Sequence, residues 1–109
     1  MAKTEALRMA EEYARNIGLE IEKCPDLTEY ILNNTLEEEY IINERGYFDG
    51  CIMTITAGGP HCDIFLHYNR AWVVCTWNSP AATYSLSNEI ADKLYEITYE
   101  MFQQWNPYF

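Results

Sequence analysis

From Leu36 to Trp77 the apolar pattern takes a period of two, in runs of six to eleven residues separated by Glu44-Arg45-Gly46, Gly58-Gly59 and Asn69-Arg70. A period of two puts alternate side chains on opposite faces of an extended chain. Separators this short leave no room for a crossover helix, so neighbouring runs must pair antiparallel. The pattern predicts strands over 38–43, 47–57, 61–68 and 71–77, joined as a β-meander. Two independent turn positions give the same faces. With Gly58-Gly59 as a two-residue turn, Ile55 lies opposite Cys62, Met53 opposite Ile64 and Cys51 opposite Leu66. With Asn69-Arg70 as the next turn, Leu66 lies opposite Val73 and Ile64 opposite Cys75. Both send Cys51, Met53, Ile55, Cys62, Ile64, Leu66, Val73, Cys75 and Trp77 to one face, the predicted core. Pro60 has no N–H to donate, which argues for a first turn longer than two residues.

Helical patterns flank this centre. Over residues 4–17, Leu7, Ala10, Ala14 and Ile17 recur at three and four, Thr4 is placed to cap the start, and Gly18 stands where a left-handed C-cap is expected. Asp26-Leu-Thr-Glu29 has the form of a capping box opening a short helix through Leu32. Near the other end, Ser85 or Ser87 can cap a long helix with Leu86, Ile90, Leu94, Ile97, Met101 and Trp105 on one stripe. The prediction is one α+β domain over residues 1–109: a four-stranded antiparallel meander packed against the C-terminal helix, with N-terminal helices covering one or both sheet faces.

With 49% apolar residues in 109, the chain can bury a core without staples. No apolar run approaches the roughly 20 residues that span a bilayer, and the charged N-terminus lacks the apolar core of an export signal, so the expectation is a soluble, cytoplasmic protein. Cys24, Cys51, Cys62 and Cys75 form no C-x-x-C pair and are expected to be free thiols, mostly buried. The net charge of −10 disfavours contact with nucleic acid or an anionic membrane and favours a basic protein partner. It is uneven: residues 1–49 carry twelve acidic and five basic side chains, residues 50–109 five and two.

The stretch ITAGGPHCDIFLH, residues 55–67, gathers the residue types of a chemical site. Strand geometry disperses them. His61 and His67 stand roughly 20 Å apart at ~3.3 Å per residue, and Cys62 points to the opposite face, which leaves His61 and Asp63 as at most a weak metal pair. Gly58-Gly59 lacks the lysine or arginine and the following helix of a phosphate loop, and no serine has the G-x-S-x-G setting. The expectation is a protein without catalytic activity and without a cofactor.

Two surfaces suit recognition. Ile52, Phe65, Trp72 and Val74 fall on the sheet face opposite the core, where a large apolar cluster is unusual unless helices or a partner cover it; Phe65 and Trp72 are anchoring residue types. Glu89, Asp92, Glu96 and Glu100, spaced three, four and four, line one side of the C-terminal helix about 5 to 6 Å apart at Cβ. With Glu37, Glu38 and Glu39, and with Glu20 and Glu22, they form a row of carboxylates able to stand in for a nucleic-acid backbone in a basic groove.

At Ile55-Thr-Ala-Gly-Gly-Pro60, the tryptophan-rich run 71–77 and Ala82-Thr-Tyr-Ser-Leu86, the chain resembles small uncharacterised proteins of gut Firmicutes and their mobile elements. In size and acidity it is similar in type to phage inhibitors of host defence, anti-CRISPR proteins among them. The resembled family carries no assigned activity, and the likeness to inhibitors is one of type that transfers no residues; together with the charge, the expectation is an acidic inhibitor that binds a basic, nucleic-acid-handling protein. Its rival is a homodimer paired through the outer sheet face.

Overall fold

The computed structural model describes residues 4–78 and 80–105. The chain runs α1 (Glu5–Lys23), α2 (Leu27–Asn34), β1 (Glu37–Ile42), β2 (Phe48–Thr56), β3 (His61–His67), β4 (Arg70–Thr76), β5 (Ala81–Ser85) and α3 (Asn88–Trp105). The five strands form one antiparallel sheet in chain order. The meander is one strand longer than expected: β5 escapes the sequence pattern because Ala81 and Ala82 carry little strand preference and Pro80 precedes them.

Helix starts follow the sequence. The Thr4 hydroxyl accepts from the Leu7 amide at 3.1 Å, and the Asp26 carboxylate from the Glu29 amide at 3.0 Å. Ser87 caps α3, its Oγ accepting from the Ile90 amide at 3.2 Å. The same Oγ donates to Glu22 Oε1 at 2.8 Å, and the Ser87 amide donates to Glu22 Oε2 at 2.6 Å, tying α1 to the start of α3. Glu22 is thereby a structural acceptor rather than part of a free acidic row.

The faces agree with expectation while the pairings shift. Cys51 pairs with Leu66 and Met53 with Ile64 as predicted, but an irregularity after Thr54 brings Thr56, not Ile55, opposite Cys62. The β3–β4 turn is Tyr68-Asn69, one residue earlier than expected, with Tyr68 at φ 55°. Ile64 therefore pairs with Val73, Leu66 with Ala71, and Cys62 with Cys75. This is a slip of two residues, which preserves the face of every side chain. It also changes the cysteine chemistry. Cys62 and Cys75 stand directly opposite, Cα atoms 4.2 Å apart, and are joined by a disulfide instead of being free thiols. Cross-linking residues 13 apart restricts the unfolded chain by on the order of 3 kcal/mol in the loop-entropy model. Cys24 and Cys51 are free.

All three helices lie on one sheet face, giving two layers. α1 packs on β4 and β5, and α3 crosses β2, β3 and β4. The core joins Ala14, Ile21 and Ile31 to Cys51, Met53, Ile64, Leu66 and Val73, with Ile90, Ala91, Leu94 and Phe102 closing it from α3. On α3 the buried stripe includes Ala91, Leu94, Thr98 and Phe102; Trp105, in the last turn on the same side of the helix, lies against the Tyr40 ring of β1 yet is 69% exposed. Thr98 is tolerated there because its hydroxyl donates to the Leu94 carbonyl at 2.7 Å.

Gly18 does not end α1. The helix continues one turn further because Gly18 is where the Tyr84 ring of β5 lies against it, and a Cβ there would land on that ring. Gly18→Ala should raise helix propensity locally yet destabilise the fold by about 1 to 3 kcal/mol through overpacking, lowering the thermal midpoint by roughly 4 to 8 °C per kcal/mol for a domain of this size. An unchanged or higher midpoint would show that Tyr84 does not pack on α1.

Candidate functional site

The register fixes what the bare side of the sheet displays. Residues directly opposite share a face, so three rows can be traced across the strands. One runs Glu37, Thr54, Asp63, Val74, Thr83; the next Glu39, Ile52, Phe65, Trp72, Ser85; the third Ile41, Gly50, His67, Arg70. None of Ile41, Ile52, Phe65, Trp72 and Val74 belongs to the core or packs against it, and each is half-buried only by its strand neighbours. Phe65 and Trp72 stack at 5.6 Å between ring centroids and 22° between planes. The result is an apolar strip along the middle row, with Glu37, Glu39 and Asp63 at one border and His67 and Arg70 at the other. At ~4.8 Å between strands, Glu39 and Trp72 lie about 14 Å apart along that row.

Of the residues singled out from the sequence, Glu37, Glu39, Phe65 and Trp72 come together on this face. Glu38, opposite Met53, faces the helix side, where its Oε1 accepts from the Tyr40 hydroxyl at 3.1 Å. The four acids of α3 are elsewhere. Glu89, Asp92, Glu96 and Glu100 are all exposed and, at 3.6 residues per turn, sit diametrically across the helix from Ala91, Leu94, Thr98 and Phe102. They point away from the sheet, on the opposite side of the molecule from Phe65 and Trp72. A single flat partner cannot touch both sets. Only Glu89 has a cationic partner, Lys93 at 3.6 Å, among the described residues.

The acidic border is partly organised. Asp63 Oδ1 accepts from the Thr54 hydroxyl at 2.7 Å, and its Oδ2 lies 3.1 Å from His61 Nε2. Those bonds hold Asp63 in the sheet surface, whereas no hydrogen-bond or ionic partner engages the side-chain carboxylates of Glu37 and Glu39 among the described residues. Ile41 enlarges the apolar strip and was missed because the β1 register cannot be derived from its turn: a bulge between Ile41 and Ile42 lets both Gly50 and Phe48 find partners. A consecutive Tyr-Ile-Ile run on a strand, one residue too many for strict alternation, was the available signal.

No cluster of three or more His, Cys, Asp and Glu able to hold a metal occurs among the described residues. Cys51 is fully buried, and burial first, then the nearby Glu38, pushes its thiol up to about 12. Burial likewise raises the Tyr30 hydroxyl to about 12, with Glu20 adding to it. No helix of the described chain is long and apolar enough to cross a membrane. In comparisons with protein-family models, curated proteins and solved structures, the chain matches none.

Cys51 and Tyr30, together with Tyr40, whose hydroxyl burial and the Glu38 carboxylate also raise, set a pH dependence. The fold favours their neutral forms, so their contribution is fully present below the ordinary values of 9.0 for the Cys51 thiol and 10.0 for the Tyr30 and Tyr40 hydroxyls and is lost as pH rises toward 12 and above. The urea midpoint, followed by tryptophan fluorescence, should hold steady from neutral pH to about 9 and then fall. In Cys51→Ala, starting from a lower plateau, the fall should begin nearer 10. A midpoint level through pH 12 in the wild type would contradict the buried placement of Cys51 and Tyr30.

Proposed function

We propose that this protein is a non-enzymatic binding domain that recognises a basic surface of a partner protein, and that it acts as an inhibitor by covering a surface the partner uses to handle nucleic acid. The observation that carries this reading is the strip Ile52–Phe65–Trp72 on a sheet face that no helix covers, bordered by Glu37 and Glu39 without countercharges of their own. An aromatic centre supplies slow dissociation through desolvated contact, while rim carboxylates speed association and select for positive partners. The net charge of −10 supports the same choice, since it repels nucleic acid and a second copy of the chain alike. On this reading the carboxylate stripe Glu89, Asp92, Glu96 and Glu100 strengthens the long-range field that draws the partner in and stays outside the contact.

The type-level similarity to phage inhibitors of host defence agrees with this reading. Its test is capture from a host lysate by wild-type protein and by Trp72→Ala, followed by competition with duplex DNA. The expected result is a retained protein that itself binds nucleic acid, is displaced by DNA, and is lost about tenfold or more with Trp72→Ala, the range of an interfacial aromatic anchor. Equal retention by both proteins, or retention indifferent to DNA, would overturn the reading; a mass shift from dimer to monomer in Trp72→Ala would favour the homodimer instead.

A further inference from the structure

A second surface lies at the edge of the sheet. β1 is an outer strand, and on one side it has no neighbouring strand, so half of its backbone N–H and C=O groups point outward. Beside it, a groove of about 400 Å³ opens between β1 and the last turns of α3, lined by Glu38, Glu39, Tyr40, Ile42, Phe102 and Trp105. Its walls are aromatic: Tyr40 sits 5.5 Å from Phe102 and 5.7 Å from Trp105 between ring centroids. Ile42 is 48% and Trp105 69% exposed, more than a covered wall would be. The opposite edge is different in kind. β5 is shorter, carries no charge over Ala81–Ser85, and has α1 packed on it.

Charge specifies what could fill the β1 edge. Glu37 and Glu39 project on the outer face and Glu38 on the helix face, so a strand laid along β1 meets a carboxylate whichever way its side chains alternate. Two copies of this chain paired there would set six carboxylates against one another, on bodies each of charge −10. A segment rich in lysine or arginine has the opposite sign at every one of those positions.

We propose that β1 accepts an added strand: an extended, basic segment of a protein partner pairs its backbone with the free edge, sets lysine or arginine against Glu37, Glu38 and Glu39, and seats an apolar side chain in the groove beside Tyr40 and Trp105. Strand addition draws affinity from main-chain hydrogen bonds and specificity from alternate side-chain pockets. The inference rests on the reading that the partner is basic, and it places a second contact of that partner at the edge of the sheet.

The test uses the full chain and a synthetic peptide of alternating lysine and valine, with an analogue N-methylated at alternate residues and a second in which glutamate replaces lysine. At low salt the lysine peptide should bind and shift the amide resonances of residues 37–42. N-methylation on the pairing edge, the double variant Glu37→Gln/Glu39→Gln, and Trp105→Ala should each weaken it about tenfold, as two exposed charge pairs or one aromatic contact allow. Trp72→Ala should leave it unchanged. Binding indifferent to N-methylation and to Trp105→Ala means diffuse attraction, which overturns the edge site while a basic partner still stands. No binding of the lysine peptide, together with capture of no basic protein from lysate, overturns both. Sedimentation showing a dimer broken by Trp105→Ala, with no peptide bound, assigns the edge to a second copy and overturns the proposal.

Discussion

Alternation along β2, β3 and β4 divides the molecule. Once Cys51, Met53, Cys62, Ile64, Leu66, Val73 and Cys75 are sent to one face, the helices have a single surface against which to bury their stripes, and among the described residues no helix lies over Ile52, Phe65, Trp72 and Val74 on the other face. The disulfide, the seating of Tyr84 against Gly18 and the crossing of α3 all lie on the buried side. A one-residue slip anywhere in the three strands would exchange the two faces, which is why a chain so acidic can afford a bare apolar strip only where the core does not need it.

Charge and apolar contact then take separate places. The carboxylates of α3 look outward from the helix layer, those of β1 border the sheet face and the sheet edge, and the cations gather on α1 or in turns, apart from Arg70 at the far end of the face and Lys93 on α3. Such a distribution gives a field that acts at a distance within the screening length of about 8 to 10 Å, together with a compact patch where water can be excluded. Neither element alone specifies a partner. On the proposed reading the two act together, selecting a surface that is positive at its margin and apolar or aromatic at its centre, as in proteins that handle nucleic acid.

Much of this was legible in the sequence because it rests on parity. Face assignments for residues 51–77 survive the misplaced Asn69-Arg70 turn, since moving that turn by one residue slips the pairing by two. The caps at Thr4 and Asp26 were legible because a side-chain acceptor and an amide three residues on suffice to define them. What depended on distant packing was not. The Cys62–Cys75 bridge needs the register correct to the residue; Gly18 looks like a helix end until Tyr84, 66 residues later, is seen to fill its missing side chain. β5 has no strong propensity and is held by β4 and α1. The candidate site was half legible: Phe65 and Trp72 follow from parity, but that Glu37 and Glu39 join them while Glu38 turns away follows only from the β1–β2 bulge.

The central claim is that recognition happens on the uncovered face of the sheet. Amide chemical-shift mapping of the labelled protein in complex with the partner it captures tests this most directly. The largest changes should fall on Glu39, Ile52, Phe65 and Trp72 and spread toward Glu37, with the Glu89, Asp92, Glu96 and Glu100 side of α3 little affected. Changes concentrated along Glu89, Asp92, Glu96 and Glu100, with the sheet silent, would contradict the account and make the helix the binding surface.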